Sequence, residues 1–307
     1  MDKAERCPDQ QEQNSKASVA EVNGLPAVGP ARARTGEKRW VRKVKWQTKP
    51  RVGRGDTVLV VTAHPDDEVY AHGVAIAALS ERGARVVLRI ASGGEAAEPG
   101  SGDLSAEEAR RRRARRLAAS CATLGVASWG WIDEGRWIDT GSRRTRDSLT
   151  LADRGDLADA LTPHIRDVRP DIVLTVASDG LTGHPDHILI HHAAVSAAHA
   201  CCTPVFGSYL LPEDIARGHA LLAGVLPGVA VGSGRMTGLT PVERASFEAP
   251  RRGAVVRRAA LDHYTPGLGT LPLGELVATH PGRGDGLLLR AVYDAVGWHV
   301  ERYAVVT

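Results

Sequence analysis

The sequence predicts an α/β fold, with a Rossmann-like, mostly parallel sheet and helices on both faces. Three observations lead to this class. Short runs of β-branched and aliphatic residues alternate with helical segments from residue 57 onward. The run at 57–62 is continuously β-branched and aliphatic, as expected for a strand that is buried on both faces. Strands that alternate with helices are typical of βαβ units. We therefore expect a single domain with a less regular C-terminal portion.

The predicted elements follow one another regularly up to residue 200. Strands are predicted at 57–62, 85–90, 129–132 and 171–176, and helices at 68–82, 105–125, 153–168 and 185–200. Ser105 and Glu108 have capping-box spacing at the start of the second helix, and Gly125 marks its end. Pro170 ends the third helix, and Pro185 lies in the first turn of the fourth. Beyond Pro204 we expect edge strands at 207–211 and 297–306 and a loop at 224–238.

Composition excludes several classes of protein. The chain has 307 residues, of which 43% are hydrophobic and 24% charged, so it is neither wholly disordered nor too small for a core. No apolar run approaches the ~20 residues that cross a bilayer, which excludes an integral membrane protein. Residues 1–13 are polar and lack the apolar segment of a secretory signal. We expect a cytoplasmic location.

The N-terminal stretch differs from the rest of the chain. Residues 1–54 read as a basic, polar arm, and residues 55–307 as the folded domain. Trp40 and Trp46 stand among the basic residues of this arm, a combination that can bind nucleic acid. No nucleic-acid-binding motif accompanies it, so we favour an arm that packs its tryptophans on the domain.

Two polar clusters follow predicted buried strands. The first, residues 63–68, reads AHPDDE, and the second, residues 183–187, reads GHPDH. Ligands of open parallel sheets lie at the carboxyl ends of strands, near the point where the strand order reverses. Both clusters place histidine and carboxylate side chains in strand-to-helix turns at this position.

These residue types favour a catalytic metal site. Imidazole and carboxylate without thiolate suit zinc or a similar first-row ion with an open position for water. His64 and Asp67 can both reach such an ion, and Asp66 between them is placed to take a proton from the water. The alternative is that His64 caps a helix and the acidic residues complement its dipole. The second cluster would supply the third ligand, and His187 and His191, four residues apart on the same predicted helix, could both face the metal.

The two clusters together resemble the LmbE/PIG-L family of zinc-dependent N-acetylglucosaminyl deacetylases. The resemblance covers roughly residues 56–200, with a fainter echo at 259–263. It implies one Zn²⁺ per chain held by His64, Asp67 and His187, although other divalent first-row metals fit these ligands. It also implies that Asp66 is the general base, and that His184, oriented by Asp186, stabilises the oxyanion or protonates the leaving amine.

The same resemblance suggests residues that contact the substrate. Residues 135–141 resemble a loop of the mycothiol-pathway enzymes whose aspartate binds sugar hydroxyls, which would be Asp139. Arg113 matches a substrate-holding arginine, and Glu95 lies in a loop that borders the pocket. Thr182 stands where the mycothiol-pathway enzyme has a tyrosine, and its hydroxyl has a shorter reach.

We therefore expect hydrolysis of the N-acetyl group of an N-acetylglucosamine-type sugar in a thiol-sugar or natural-product glycoside. One alternative is an amidase on the same scaffold that removes a larger acyl group. Another is a non-catalytic binding protein that uses the basic arm. The expected partner is a small amino-sugar substrate, with no membrane and no nucleic acid, and the sequence leaves homo-oligomerisation open.

Overall fold

A computed structural model of the chain describes residues 51–245, 252–280 and 282–306. Within these residues seven strands form one sheet in the order β3-β2-β1-β4-β5-β7-β6. The strands are β1 (Thr57–Thr62), β2 (Arg85–Ile90), β3 (Ser128–Trp131), β4 (Ile172–Val176), β5 (Val205–Tyr209), β6 (Arg244–Ala245) and β7 (Arg302–Val306). The helices are α1 (Asp67–Glu81), α2 (Ala106–Leu124), α3 (Arg154–Val168), α4 (Gly180–Gly183), α5 (Pro185–Ala200), α6 (Pro212–Val225), α7 (Gly253–Asp262), α8 (Leu273–Thr279) and α9 (Asp285–Val296).

The strand order places the two polar clusters side by side. Strands β3, β2, β1, β4 and β5 are parallel neighbours, and β1 pairs with β4 in the register Val58↔Ile172 and Val60↔Leu174. The chain runs outward from β1 to β3 and then returns to β4, so the order reverses between β1 and β4. The loops that leave these two strands therefore meet at one edge of the sheet, where α/β folds bind ligands.

Local sequence explains the elements around this point. All five residues of β4 and five of the six in β1 are buried, in agreement with their unbroken apolar sequences. Ser105 caps α2 by accepting the Glu108 main-chain N–H at 3.1 Å. Right-handed crossovers place α1 and α2 on one face of the sheet and α3 and α5 on the other. The contacts agree, since α1 and α2 pack together with α7, and α3 packs on α5. The predicted fold class is confirmed.

The C-terminal portion departs from the predictions. The stretches expected as edge strands correspond to β5 and β7, which pair antiparallel inside the sheet, while β6 lies outside β7. The predicted edge positions were wrong for two reasons. β7 returns to pair with β5 and covers it, and β6, which is only two residues long and has no apolar run to reveal it, covers β7. Helices α6 to α9 were also not predicted, whereas residues 226–238 are irregular as expected.

Two expectations concern regions that the structure covers only in part. The predicted arm, residues 1–54, lies outside the described residues except for 51–54, so the domain boundary stays a prediction. Among the described residues, no helix has both the length and the apolar character needed to cross a membrane.

Candidate metal centre

The first cluster forms a tight turn between β1 and α1. The main-chain N–H of His64 donates to Oδ2 of Asp67 at 2.8 Å, which draws the two side chains together. Asp66 precedes α1 with φ 100°, a conformation that residues other than glycine rarely adopt. Such strained residues occur at functional sites, where the surrounding structure holds them in place.

The second cluster forms the turn between α4 and α5. His184 caps α5, because its Nδ1 accepts the Asp186 main-chain N–H at 3.2 Å. Three residues further on, Nδ1 of His187 lies 3.0 Å from the carbonyl oxygen of Gly180. This hydrogen bond places the proton of a neutral His187 on Nδ1, so Nε2 is left as the ligand atom.

His64, Asp67 and His187 bring one ligand atom each to a common point. Nε2 of His187 lies 3.2 Å from both Nδ1 of His64 and Oδ1 of Asp67. Nδ1 of His64 lies 3.6 Å from Oδ2 of Asp67. A tetrahedral metal with bonds of about 2.0–2.2 Å holds its ligand atoms roughly 3.3 Å apart. The carboxylate of Asp67 faces His187 through Oδ1 and His64 through Oδ2, and one ligand atom from each of the three residues lies within 4.8 Å of the others. The donor types and spacing fit a divalent metal.

The hydrogen bonds around this triad also fit a metal centre. Nε2 of His64 donates to Oδ2 of Asp186 at 3.0 Å, so the neutral ring presents Nδ1 to Asp67 and His187. A histidine ligand that donates its other N–H to a carboxylate or a carbonyl is the usual arrangement at protein metal sites. His64, Asp186 and His184 form a second group within ligand distance. We favour the first group because both of its imidazoles keep an outer partner.

Asp66 lies beside the triad and is held by two neighbours. Nη2 of Arg113 donates to its Oδ2 at 3.1 Å and also to the carbonyl oxygen of Pro65. The main-chain N–H of Asp66 donates to Oε2 of Glu68 at 2.9 Å. Burial raises the pKa of Asp66, although the charge of Arg113 opposes this effect. Asp66 is not a member of the triad, and a carboxylate with a raised pKa can accept a proton. Asp66 therefore suits the role of general base.

Glu68 is a buried anchor that the sequence analysis missed. Its Oε1 accepts hydrogen bonds from Ser120 at 2.6 Å and from Tyr264 at 2.7 Å. Burial raises the pKa of Glu68 to about 7. The one sequence signal for Tyr264 was the faint family echo at residues 259–263, directly before it.

Tyr264→Phe should lower the free energy of unfolding by about 1–2 kcal/mol, because it removes a hydrogen bond to a buried carboxyl group. Phenylalanine keeps the ring that lies 5.8 Å from the guanidinium carbon of Arg113. Urea unfolding at neutral pH measures the change. Unaltered stability would show that the Tyr264 hydroxyl does not support Glu68.

His184 and Asp139 line a cavity of about 340 Å³ next to the triad. Burial, and then the nearby His64 and His187, lower the pKa of His184 to about 4, so the ring is neutral near pH 7. Since its Nδ1 accepts a hydrogen bond, the proton lies on Nε2, which can donate. The main-chain N–H of Asp139 donates to Oε2 of Glu95 at 2.9 Å, which fixes the loop that carries Asp139.

Several predicted contact residues occupy other places. Arg113 is only 4% exposed and faces Asp66, so it is a positioning residue and not a cavity-lining one. Glu95 is buried beneath the Asp139 loop, and Oγ1 of Thr182 lies 3.3 Å from Nδ1 of His187. Their direct contact with substrate is not supported by this geometry. The carboxylate of Asp186 pairs with His64. The role of orienting His184, which we expected of Asp186, therefore depends only on the Asp186 main-chain N–H, which donates to Nδ1 of His184.

The structure also separates His187 from His191. Nδ1 of His191 lies 2.7 Å from the carbonyl oxygen of Val176. Among the residues that the structure describes, neither group with metal-ligand spacing includes His191. This geometry supports the preference for His187.

Asp186→Asn should weaken metal binding by about 10–100-fold, the usual cost of losing an outer partner of a histidine ligand. The amide keeps the size of the carboxylate but not its charge beside His64. Competition with a chelator measures the affinity. Unchanged affinity would mean that Asp186 does not support His64 as a ligand.

Comparison with known proteins identifies the domain that carries this site. Residues 59–198 match the protein family PIG-L, described as GlcNAc-PI de-N-acetylase. The chain contains a PIG-L family domain. Both polar clusters lie inside the matched region, which agrees with the resemblance found from the motifs.

Similar proteins carry deacetylase names. The 1D-myo-inositol 2-acetamido-2-deoxy-alpha-D-glucopyranoside deacetylase of Thermobispora bispora is 37% identical over 161 residues, covering 48% of this chain and 53% of that protein. The protein of the same name from Acidothermus cellulolyticus is 38% identical over 153 residues, covering 46% of this chain and 52% of that protein. The chain thus matches about half the length of these curated relatives.

Solved structures support the fold. A deacetylase triple mutant from the teicoplanin biosynthetic pathway is 21% identical with a TM-score of 0.52, covering 81% of this chain and 98% of that chain. The A40926 pseudoaglycone deacetylase is also 21% identical with a TM-score of 0.52, covering 81% of this chain and 96% of that chain.

Proposed function

We propose that this protein hydrolyses the N-acetyl group of an N-acetylglucosamine-type amino sugar in a glycoconjugate, releasing acetate and a free amine. The observation that carries the proposal is the triad of His64, Asp67 and His187 with Asp66 beside it. The ring of His184, which lines a cavity, lies 5.3 Å from the ring of His64, measured between centroids. The named activity of the similar proteins supports the same reaction. A thiol-sugar or a natural-product glycoside is the proposed substrate, and the cytoplasm the proposed location.

Zinc is the proposed metal. Two imidazole nitrogens and one carboxylate oxygen are a ligand set that catalytic zinc sites use, with an open position for water or substrate. When bound, zinc lowers the pKa of a water molecule and polarises the carbonyl of the substrate.

The residues around the triad would divide the proton transfers between them. Asp66 takes the proton from the attacking water, and the Arg113 hydrogen bond keeps its carboxylate in place. Neutral His184 donates a hydrogen bond from Nε2–H to the oxygen that becomes negative as the water attacks, and it keeps its proton throughout. Asp66 then returns its proton to the departing nitrogen, so that the sugar leaves as a neutral amine and the charges balance.

The cavity would hold the amino sugar. At about 340 Å³ it has room for a small ligand, and His184 and Asp186, which contact the triad, form part of its lining. Asp139 is proposed to accept hydrogen bonds from sugar hydroxyls. The hydrogen bond from the Asp139 main-chain N–H to Glu95 already orders this loop. The loop therefore loses less conformational entropy when a sugar binds.

A panel of N-acyl glucosamine glycosides tests this function. Zinc-loaded protein is mixed with the N-acetyl, N-butanoyl and N-hexanoyl forms of one glycoside, and the free amine is measured. The proposal predicts the highest kcat/KM for the acetyl form. A higher value for a longer acyl group would favour the amidase alternative, and hydrolysis of none of them would overturn the proposed activity.

A further inference from the structure

Two arginines line the cavity without a carboxylate partner. Arg144 belongs to the loop that follows Asp139, and Arg235 belongs to the irregular segment after α6. Both side chains are exposed, and among the described residues neither takes part in an ion pair. By contrast, the nearby Arg110 pairs with Glu95, and Arg136 pairs with Asp133 and Asp156.

Asp139 and Asp186 also line the cavity, but among the described residues neither forms an ion pair with Arg144 or Arg235. Oδ2 of Asp186 is taken up by the hydrogen bond from His64. Oδ1 of Asp139 accepts the main-chain N–H of Gly141 at 2.9 Å. The Arg235 guanidinium donates through Nε to Oγ of Ser233 at 3.4 Å. Its two terminal nitrogens, like the guanidinium of Arg144, have no carboxylate partner among the described residues and can bind a negative charge.

The second cluster fixes the place of Arg235. Gly183 has a φ of +72°, and a Cβ added to it would lie 2.6 Å from the carbonyl oxygen of Arg235. Only glycine tolerates both this conformation and this close approach. The main chain of Arg235 is thereby packed against the residue that precedes His184. The main-chain N–H of Arg235 also donates to Oγ of Ser233 at 3.3 Å.

We propose that Arg144 and Arg235 form a subsite for an anionic group, a phosphate or a carboxylate, on the part of the substrate attached to the amino sugar. The inference rests on the proposed function. Guanidinium groups bind both kinds of anion through paired, charge-assisted hydrogen bonds. The cavity volume of about 340 Å³ lies within the roughly 300–1,000 Å³ of ligand pockets, so the subsite has room for a small anionic group.

Three N-acetylglucosamine glycosides that differ in one group test the subsite. Their aglycones are glycerol, glycerol phosphate and glyceric acid, which separate a neutral group, a phosphate and a carboxylate. The proposal predicts that at least one anionic glycoside has a higher kcat/KM than the glycerol form. Arg144→Gln and Arg235→Gln should each lower the ratio of anionic to neutral kcat/KM by about tenfold, the effect of losing one charge-assisted hydrogen bond.

Arg146→Gln is the matched control. Arg146 is an exposed arginine two residues from Arg144 in the same loop, and it does not line the cavity. We expect this variant to keep the wild-type ratio. The result that would overturn the subsite is an equal kcat/KM for the neutral and both anionic glycosides, with no change in the ratio of anionic to neutral kcat/KM in the Arg144 and Arg235 variants. The proposed deacetylase function would still stand.

A binding measurement separates the subsite from the reaction. If no glycoside releases acetate, the proposed function fails, and calorimetry with the same three glycosides still decides on the subsite. Tighter binding of an anionic form, weakened by Arg144→Gln and Arg235→Gln but not by Arg146→Gln, would support it. Equal affinity for all three would overturn it.

Discussion

The Asp66→Asn protein should lose about a thousandfold in kcat for N-acetyl hydrolysis while it keeps its metal, because general-base catalysis contributes typically 10²–10⁴-fold. Asparagine has the size of aspartate, and its carbonyl oxygen can still accept the hydrogen bond from Arg113. It cannot take a proton from water. Acetate release measures the activity, and elemental analysis measures the metal.

Asp159→Asn is the control for this substitution. Asp159 is exposed on α3, so the variant makes the same chemical change away from the site. Its activity should equal that of the wild type. An Asp66→Asn protein that retains more than a tenth of the wild-type kcat would show that another group is the general base.

His187→Ala should weaken metal binding by more than about 100-fold, because it removes a metal ligand. Loss of an outer hydrogen-bond partner alone typically costs about 10–100-fold. Hydrolysis should fall with the metal content. Nε2 of His187 lies 3.2 Å from a ligand atom of each other triad member, so this triad is lost without it and, among the described residues, only the group of His64, Asp186 and His184 keeps ligand spacing. Metal titration against a chelator gives the affinity.

His191→Ala is a closely matched control. Both histidines are buried on α5, one helical turn apart, and each places Nδ1 against a main-chain carbonyl oxygen, that of Gly180 for His187 and that of Val176 for His191. Damage to the fold should therefore be similar in the two variants, but the His191 variant should keep its metal. A His191→Ala protein that loses its metal while His187→Ala keeps it would contradict the ligand assignment.

The sequence carries the part of the fold that depends on local patterns. The apolar runs at 57–62 and 85–90 match β1 and β2 in full, and the helix predicted at 185–200 matches α5. The position of the site followed from topology, since clusters after two buried strands meet where the strand order reverses. The short β6 has no such pattern, and its pairing with β7 places β7 inside the sheet.

The supporting contacts of the site join residues that are far apart in the chain. Tyr264 reaches Glu68 across 196 positions, and Asp186 reaches His64 across 122. No periodicity or spacing links such pairs. Arg113 illustrates the same limit, because a run of arginines on α2 does not show which one turns inward to Asp66.

The most direct test of the claim that this site hydrolyses N-acetyl sugars is to remove the metal and then return it. Acetate release from an N-acetylglucosamine glycoside is measured on zinc-loaded protein, after chelation, and after one equivalent of zinc is returned. We predict that release is lost on chelation and regained with zinc, with one free amine formed per acetate. Full activity in chelated protein that elemental analysis shows to be metal-free would contradict it.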